Sequence, residues 1–286
     1  MELFFDMLRS IVYGVIEGVT EWLPISSTGH MILAEQVLKF SLSAEFMEMF
    51  RVVIQLGAIL AVVVLYFKKL WPFCSDNGRD SGLARHIRWP VMRLWGKILV
   101  ACLPAAVLGL ALDDWIDAHF YNSVVVAVML IVYGIAFILI ERRPRVPTTT
   151  KLSRITYKQA VIVGAWQVLA LIPGTSRSGA TIIGGLLCGM SRACASQFTF
   201  FLAIPVMAGA SGLKLVKFLA KGGVFTLGEV GTLLVGCIVA FVVSILAIRF
   251  LMDYVKKHTF TVFGWYRIAL GILVLGIWAL QSFVLA

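Results

Sequence analysis

Charge is what this chain lacks. Only 14% of its 286 residues are Asp, Glu, Lys or Arg, while 60% are hydrophobic, and the mean hydropathy is +0.94. A soluble domain is about half apolar even with glycine counted. A soluble protein is therefore excluded, and an all-α polytopic membrane protein is expected. Paired cysteines are also missing. Cys74, Cys102, Cys188, Cys194 and Cys237 show no paired spacing, so free thiols are expected rather than disulfides or a metal site. There is no H-E-x-x-H, no G-x-x-x-x-G-K-[ST] and no Cys/His zinc pattern. No basic domain is present, which excludes nucleic acid as a partner. The net charge of +10 suits loops beside an anionic leaflet, and an anionic substrate. The opening M-E-L-F-F-D lacks a basic n-region and a small-residue cleavage site, so no cleaved signal peptide is expected.

What the chain has is length of apolar run. Six runs approach the roughly 20 residues needed to cross a hydrocarbon core. They are Phe50–Phe67, Leu94–Leu112, Val124–Ile140, Phe198–Leu219, Val230–Leu251 and Val262–Leu280. Two more apolar regions are broken in the middle: Met7–Phe40 at Pro24–Gly29, and Tyr157–Met190 at Pro173–Gly179. Each half is too short to span comfortably. Both read as re-entrant helical hairpins, which need cover from protein or a wet cavity at membrane depth.

The first break reads E-G-V-T-E-W-L-P-I-S-S-T-G-H over residues 17–30. Glu17 and Glu21 are one turn apart, so on a helix they share a face. The flanking Ile11, Val12, Val15, Ile16, Val19, Trp22 and Leu23 leave little polar face for a solvated surface helix. Two carboxylates there repel each other, and a cation, a metal or a wet cavity must offset that cost. Pro24 stops the helix. Ser26, Ser27 and Thr28 are N-cap types for a new helix starting near Gly29. A helix N-terminus in apolar surroundings is a ready anion site.

The second break reads P-G-T-S-R-S-G-A-T-I from Pro173. Arg177 in an apolar run is costly and points to function, and its planar fork suits phosphate. A structural ion pair with Glu17 or Glu21 is the competing reading, and the two are compatible. Ser176, Ser178 and Thr181 add hydroxyls. Trp22, Trp166, Phe198, Phe200 and Phe201 suit either a groove for an apolar tail or ordinary packing, with packing the stronger reading for each.

The two halves read as a repeat. Setting Gly29 on Gly179 puts Ser26 on Ser176, Ser27 on Arg177, Thr28 on Ser178 and Glu17 on Gln167. Repeat one covers about residues 1–140, a linker about 141–156, and repeat two about 157–286, all within a single integral membrane domain. Each copy is a broken hairpin followed by three spans. Three is odd, so the second copy must be inverted, with a binding site where the breaks meet. Loop charge orients the chain. Lys68, Lys69, Arg79, Arg85, Arg88 and Arg93 mark one inside loop. Arg142, Arg143, Arg145, Lys151, Arg154 and Lys158 mark a second, and Lys256 and Lys257 a third. Asp113, Asp114 and Asp117 mark an outside loop.

The motifs at residues 17–30 and 173–182, with F-R-V-V-I-Q-L-G-A-I-L-A-V after the first hairpin, resemble those of the bacterial undecaprenyl-diphosphate phosphatases of the bacitracin-resistance type. The likeness covers essentially the whole chain. It implies an inner-membrane hydrolase that removes the terminal phosphate of a polyprenyl diphosphate lipid, recycles the carrier for peptidoglycan, and confers bacitracin resistance. It also implies dependence on Mg²⁺ or Ca²⁺ and a site open to the periplasm. A homodimer is compatible with it.

The residues can carry such chemistry in their own right. Phosphoryl transfer needs positioning, charge neutralisation and a nucleophile. Ser27 is the candidate nucleophile, with His30 or water as competitors. Glu17 and Glu21 are candidates for proton transfer or for a metal. Arg177 would stabilise charge on the equatorial oxygens. Ser26, Thr28, Ser176, Ser178 and Thr181 would bind substrate. The alternative is a transporter or flippase of an anionic polyprenyl phosphate, since inverted repeats with broken helices are transporter architecture. A transporter has less use for two carboxylates and a serine beside its anion.

Overall fold

The structure, a computed structural model, describes residues 2–75, 85–143 and 146–284. Arg79, Arg145 and the side chains of Asp113, Asp114 and Asp117, on which part of the loop-charge reading rests, lie outside the described residues. The described chain is helical, without a β-strand; isolated bridges join Phe73 to Ile87 and Thr149 to Met190. The helices are α1 (Glu2–Thr20), α2 (Ser27–Val37), α3 (Ala44–Val53), α4 (Gln55–Leu70), α5 (Trp89–Phe120), α6 (Ser123–Glu141), α7 (Tyr157–Val168), α8 (Arg177–Leu187), α9 (Arg192–Ala220), α10 (Leu227–Lys257) and α11 (Thr261–Val284).

Six stretches are long and apolar enough to cross a membrane: Ala44–Leu70, Trp89–Leu112, Ser123–Glu141, Arg192–Ala220, Leu227–Lys257 and Thr261–Phe283. They contain the six expected runs. Each extends further, and in several a polar cap, not the last apolar residue, sets the start of the helix. Ser43 accepts from the Phe46 amide, Asn122 from Val125, and Thr226 forms a reciprocal capping box with Glu229. All five cysteines are free thiols, as expected.

Both broken runs are helix, break, helix. α2 and α8 have 11 residues each, about 16 Å at 1.5 Å per residue, against a hydrocarbon core of about 30 Å. α2 starts at Ser27, two residues before the expected start near Gly29. Ser26 takes the left-handed turn itself, at φ 72, and frees Ser27 to begin the helix. Ser176 does the same before α8, at φ 71.

The packing pairs are reciprocal between the halves. α1 lies on α10 and α7 on α5; α4 lies on α10 and α9 on α5; α6 and α11 lie on each other. Glycine lets α6 and α11 approach: a Cβ on Gly134 would stand 2.7 Å from the Gly264 carbonyl oxygen, and one on Gly264 equally close to that of Gly134. The largest core cluster includes Trp22, Phe198, Phe200 and Phe201, all fully buried. Trp22 and Phe200 meet edge to face at 5.3 Å. Packing, not an open groove, is therefore what these aromatics provide, and Trp166 packs against the same cluster.

Candidate active site

The breaks meet in the interior. Ser178 Oγ of the second break lies 3.4 Å from the Leu23 carbonyl of the first. Around that junction sits a polar cluster in apolar surroundings. Glu17 closes the apolar-flanked end of α1 and is 1% exposed; Glu21 follows one turn later and is also buried. The helical hydrogen bond from the Glu21 amide to the Glu17 carbonyl, 3.1 Å, keeps both carboxylates on one face.

Glu21 is the hub. Its Oε2 accepts the Ser27 hydroxyl at 3.0 Å. Its Oε1 accepts both Nε and Nη2 of Arg177, each at 3.2 Å. Arg177 Nη1 donates to the Thr199 carbonyl at 3.0 Å, and the guanidinium stands 5.9 Å from the Trp22 ring centroid. The guanidinium is thus aimed by a charge, a carbonyl and an aromatic face. Glu17 stands within electrostatic reach of Glu21 and Arg177, but its Oε1 is buried without a hydrogen-bond partner.

The expected hydroxyls divide into two groups. Ser176 Oγ accepts the Gly179 amide at 3.2 Å and lies 3.1 Å from Ser178 Oγ. Thr181 Oγ1 donates to the Arg177 carbonyl at 2.9 Å and meets Thr199 Oγ1 at 2.9 Å. These tie down the first turn of α8. Ser26 Oγ, by contrast, is buried without a partner, and no side-chain bond caps α2. The start of α2 therefore keeps free amides beside Ser27 and the half-buried Thr28.

His30 has a partner on each ring nitrogen. Its Nδ1 lies 2.8 Å from the Ser26 carbonyl and its Nε2 2.7 Å from the Tyr266 hydroxyl, and the two rings stack. A carbonyl only accepts, so Nδ1 carries the proton and both nitrogens are engaged.

One residue escaped the sequence reading. Arg267 of α11 is 0% exposed and donates to carbonyls of both breaks: Nη1 to Pro24 at 3.2 Å, and Nη2 to Gly174 and Thr175 at 2.9 Å each. Its one signal in the sequence is an arginine within the apolar run Val262–Leu280, which otherwise reads as a plain span.

A metal can be tested against these groups. The partnerless oxygen of Glu17, one turn from Glu21, is a hard donor of the kind Mg²⁺ and Ca²⁺ take. Among the described residues no group of three or more His, Cys, Asp or Glu could hold an ion. A divalent ion here fits only as one shared with phosphate oxygens and water, which is the usual way Mg²⁺ is bound.

A helical membrane protein with a Ser–Glu–Arg cluster, built around a buried carboxylate where two broken helices meet, is the class that fold and site define. The family described as bacitracin resistance protein BacA matches residues 10–273, and the chain belongs to that family. It is 60% identical over 278 residues to the undecaprenyl-diphosphatase of Enterococcus faecalis strain V583, covering 96% of this chain and 99% of that protein. It is 56% identical over 282 residues to the undecaprenyl-diphosphatase of Streptococcus gordonii, covering 98% of each. The Lactococcus lactis subsp. cremoris SK11 protein of the same name is 56% identical over 283 residues, covering 98% of this chain and 99% of that one.

Proposed function

We propose that this protein is an undecaprenyl-diphosphatase, which releases the terminal phosphate of undecaprenyl diphosphate and returns the monophosphate carrier to cell-wall synthesis. Relatives of that name over nearly the full length support it, and bacitracin resistance accords with the family's description. The observation that carries the chemistry is the Ser27–Glu21 hydrogen bond. A serine hydroxyl already donating to a buried carboxylate is poised to lose its proton as it attacks.

Ser27 Oγ attacks the terminal phosphorus, and Glu21 takes the hydroxyl proton. A Ser27 O–P bond forms and the bridging P–O bond breaks, so undecaprenyl phosphate leaves. Undecaprenyl phosphate carries off the proton that Glu21 took. Water then attacks the phosphoserine and gives its proton to Glu21, which returns it to Ser27 Oγ as the Ser27 O–P bond breaks and inorganic phosphate leaves. Arg177 leaves Glu21 for the equatorial phosphate oxygens when the diphosphate arrives, and the free amides at the start of α2 hold the same group. His30 is not the nucleophile in this reading, because both its nitrogens are engaged.

Glu17 and Glu21 would hold a divalent cation together with the substrate. Bound there, the cation would neutralise the charge of carboxylates and phosphate alike.

The same reading takes the chain as an inverted repeat with two re-entrant hairpins, and the site as opening to the outer face of the cell membrane. Matching left-handed turns at Ser26 and Ser176, reciprocal packing of α1–α10 with α7–α5, and the mutual approach of Gly134 and Gly264 support the repeat. Basic loops at Lys68–Lys69 and Lys256–Lys257 support the orientation.

Phosphate release from undecaprenyl diphosphate by the purified protein in detergent tests the proposal. No transport is possible there. Stoichiometric phosphate and undecaprenyl phosphate are expected. Binding of the lipid without release of phosphate would leave the transporter reading instead.

A further inference from the structure

We propose that Arg267 is a positioning residue, a guanidinium clamp on α11 that fixes the two breaks relative to each other and so sets Ser27 against Arg177. The inference deepens the hydrolase reading and rests on it for its kinetic arm only.

Arg267 is wholly buried, and among the described residues no carboxylate pairs with it. A buried charge of that kind must be met by other dipoles. Arg267 finds them in backbone carbonyls. Nε reaches Leu130 at 3.4 Å and Nη2 reaches Met129 at 3.5 Å, both on α6. The shorter bonds go to Pro24, Gly174 and Thr175, which lie in the breaks. Carbonyls in a break have lost the helical amides that would otherwise serve them, and in apolar surroundings they need donors. One planar fork supplies both breaks at once.

The surroundings are built to admit it. A Cβ on Gly179 would stand 3.2 Å from Arg267 Nη1, so the glycine leaves the guanidinium its place. The Tyr133 ring lies 5.6 Å from Arg267 Cζ and offers its face to the charge. The preceding residue, Tyr266, acts in the same sense: its hydroxyl holds His30, whose Nδ1 donates to the Ser26 carbonyl. Pro24 and Ser26 precede Ser27, and Gly174 and Thr175 precede Arg177. The clamp therefore grips the backbone just ahead of each reacting side chain. Its hydrogen bonds go to backbone carbonyls, and none goes to the Ser27 or Arg177 side chain.

A lysine keeps the charge but its single nitrogen cannot span both breaks. Arg267→Lys should lower kcat about 10- to 100-fold with KM within about threefold, since misplacing reactive groups by about 1 Å costs that much. Hydrogen–deuterium exchange on the same protein should speed up at residues 23–29 and 174–179 and stay unchanged in α10. Normal kcat, or exchange unchanged at either break, would overturn the proposal. Faster exchange throughout, with normal kcat per folded molecule, would make Arg267 a structural residue only and overturn it too. If wild type releases no phosphate, the hydrolase reading falls alone and the exchange arm still decides. If Arg267→Lys does not fold, Gly179→Ala in a Ser176→Gly background crowds the guanidinium alone. It should then slow kcat and loosen both breaks relative to Ser176→Gly, and equality with that parent would refute the clamp.

Discussion

Arg177 meets Glu21 through a single carboxylate oxygen: Nε and Nη2 both lie 3.2 Å from Oε1. The usual fork-to-fork pairing would occupy both oxygens. Here Oε2 is left for Ser27, at 3.0 Å. One carboxylate thus restrains the cation of one half of the chain and the hydroxyl of the other. In the proposed mechanism phosphate displaces it as the partner of Arg177, and the carboxylate would lose a competing charge just as Ser27 needs a base.

Arg177→Lys should show how much of this depends on shape. Lysine keeps the charge and loses the fork. The transition state should lose about 2–4 kcal/mol, a fall of roughly 30- to 1000-fold in kcat/KM, as loss of one preorganised donor typically costs. Steady-state kinetics on the folded variant measures it. Near-normal turnover would reduce Arg177 to a point charge or a structural partner.

Metal titration separates the two glutamates from their surroundings. Glu17→Gln and Glu21→Gln should both lose activity, and at least one should need much more Mg²⁺ or Ca²⁺ for half-maximal rate. Gln167 is the internal control. It matches Glu17 in the second half, is buried, and has both amide atoms without partners. Gln167→Ala should leave the metal requirement unchanged. If neither glutamate variant shifts it, the pair is not a metal site, and proton transfer and the hold on Arg177 are its remaining roles.

Orientation is open to labelling. Tyr121→Cys, at the exposed turn between α5 and α6, should react with an impermeant thiol reagent added outside intact cells. Lys257→Cys, at the end of α10, should react only after permeabilisation. The opposite pattern would reverse the assignment of the basic loops to the inside.

Much of this site was legible because its signals are local. Pro24 and Pro173 break helices wherever they stand in an apolar run, and a glutamate pair one turn apart declares a polar face in a region with none. The meeting of Glu21 with Arg177 was one of the pairings the charges allowed. Arg267 was not legible in the same way, since its partners are carbonyls of Pro24 and Gly174, and backbone carbonyls carry no mark in a sequence. The left-handed turn at Ser26 was hidden for a related reason. A serine before a helix reads as an ordinary cap, yet Ser26 takes a positive φ and its hydroxyl caps nothing, while Ser176 in the same conformation accepts the Gly179 amide.

The most direct measurement is the initial rate of phosphate release by wild type and Ser27→Ala, side by side in detergent, with folding of both checked by thermal unfolding. Losing one half-buried hydroxyl removes little packing, so both should unfold at similar temperatures. Phosphate release should fall to background in Ser27→Ala. A variant that keeps more than about a tenth of the wild-type rate, a loss below about 1.4 kcal/mol in the barrier, would contradict Ser27 as the nucleophile and with it the roles given to Glu21 and Arg177.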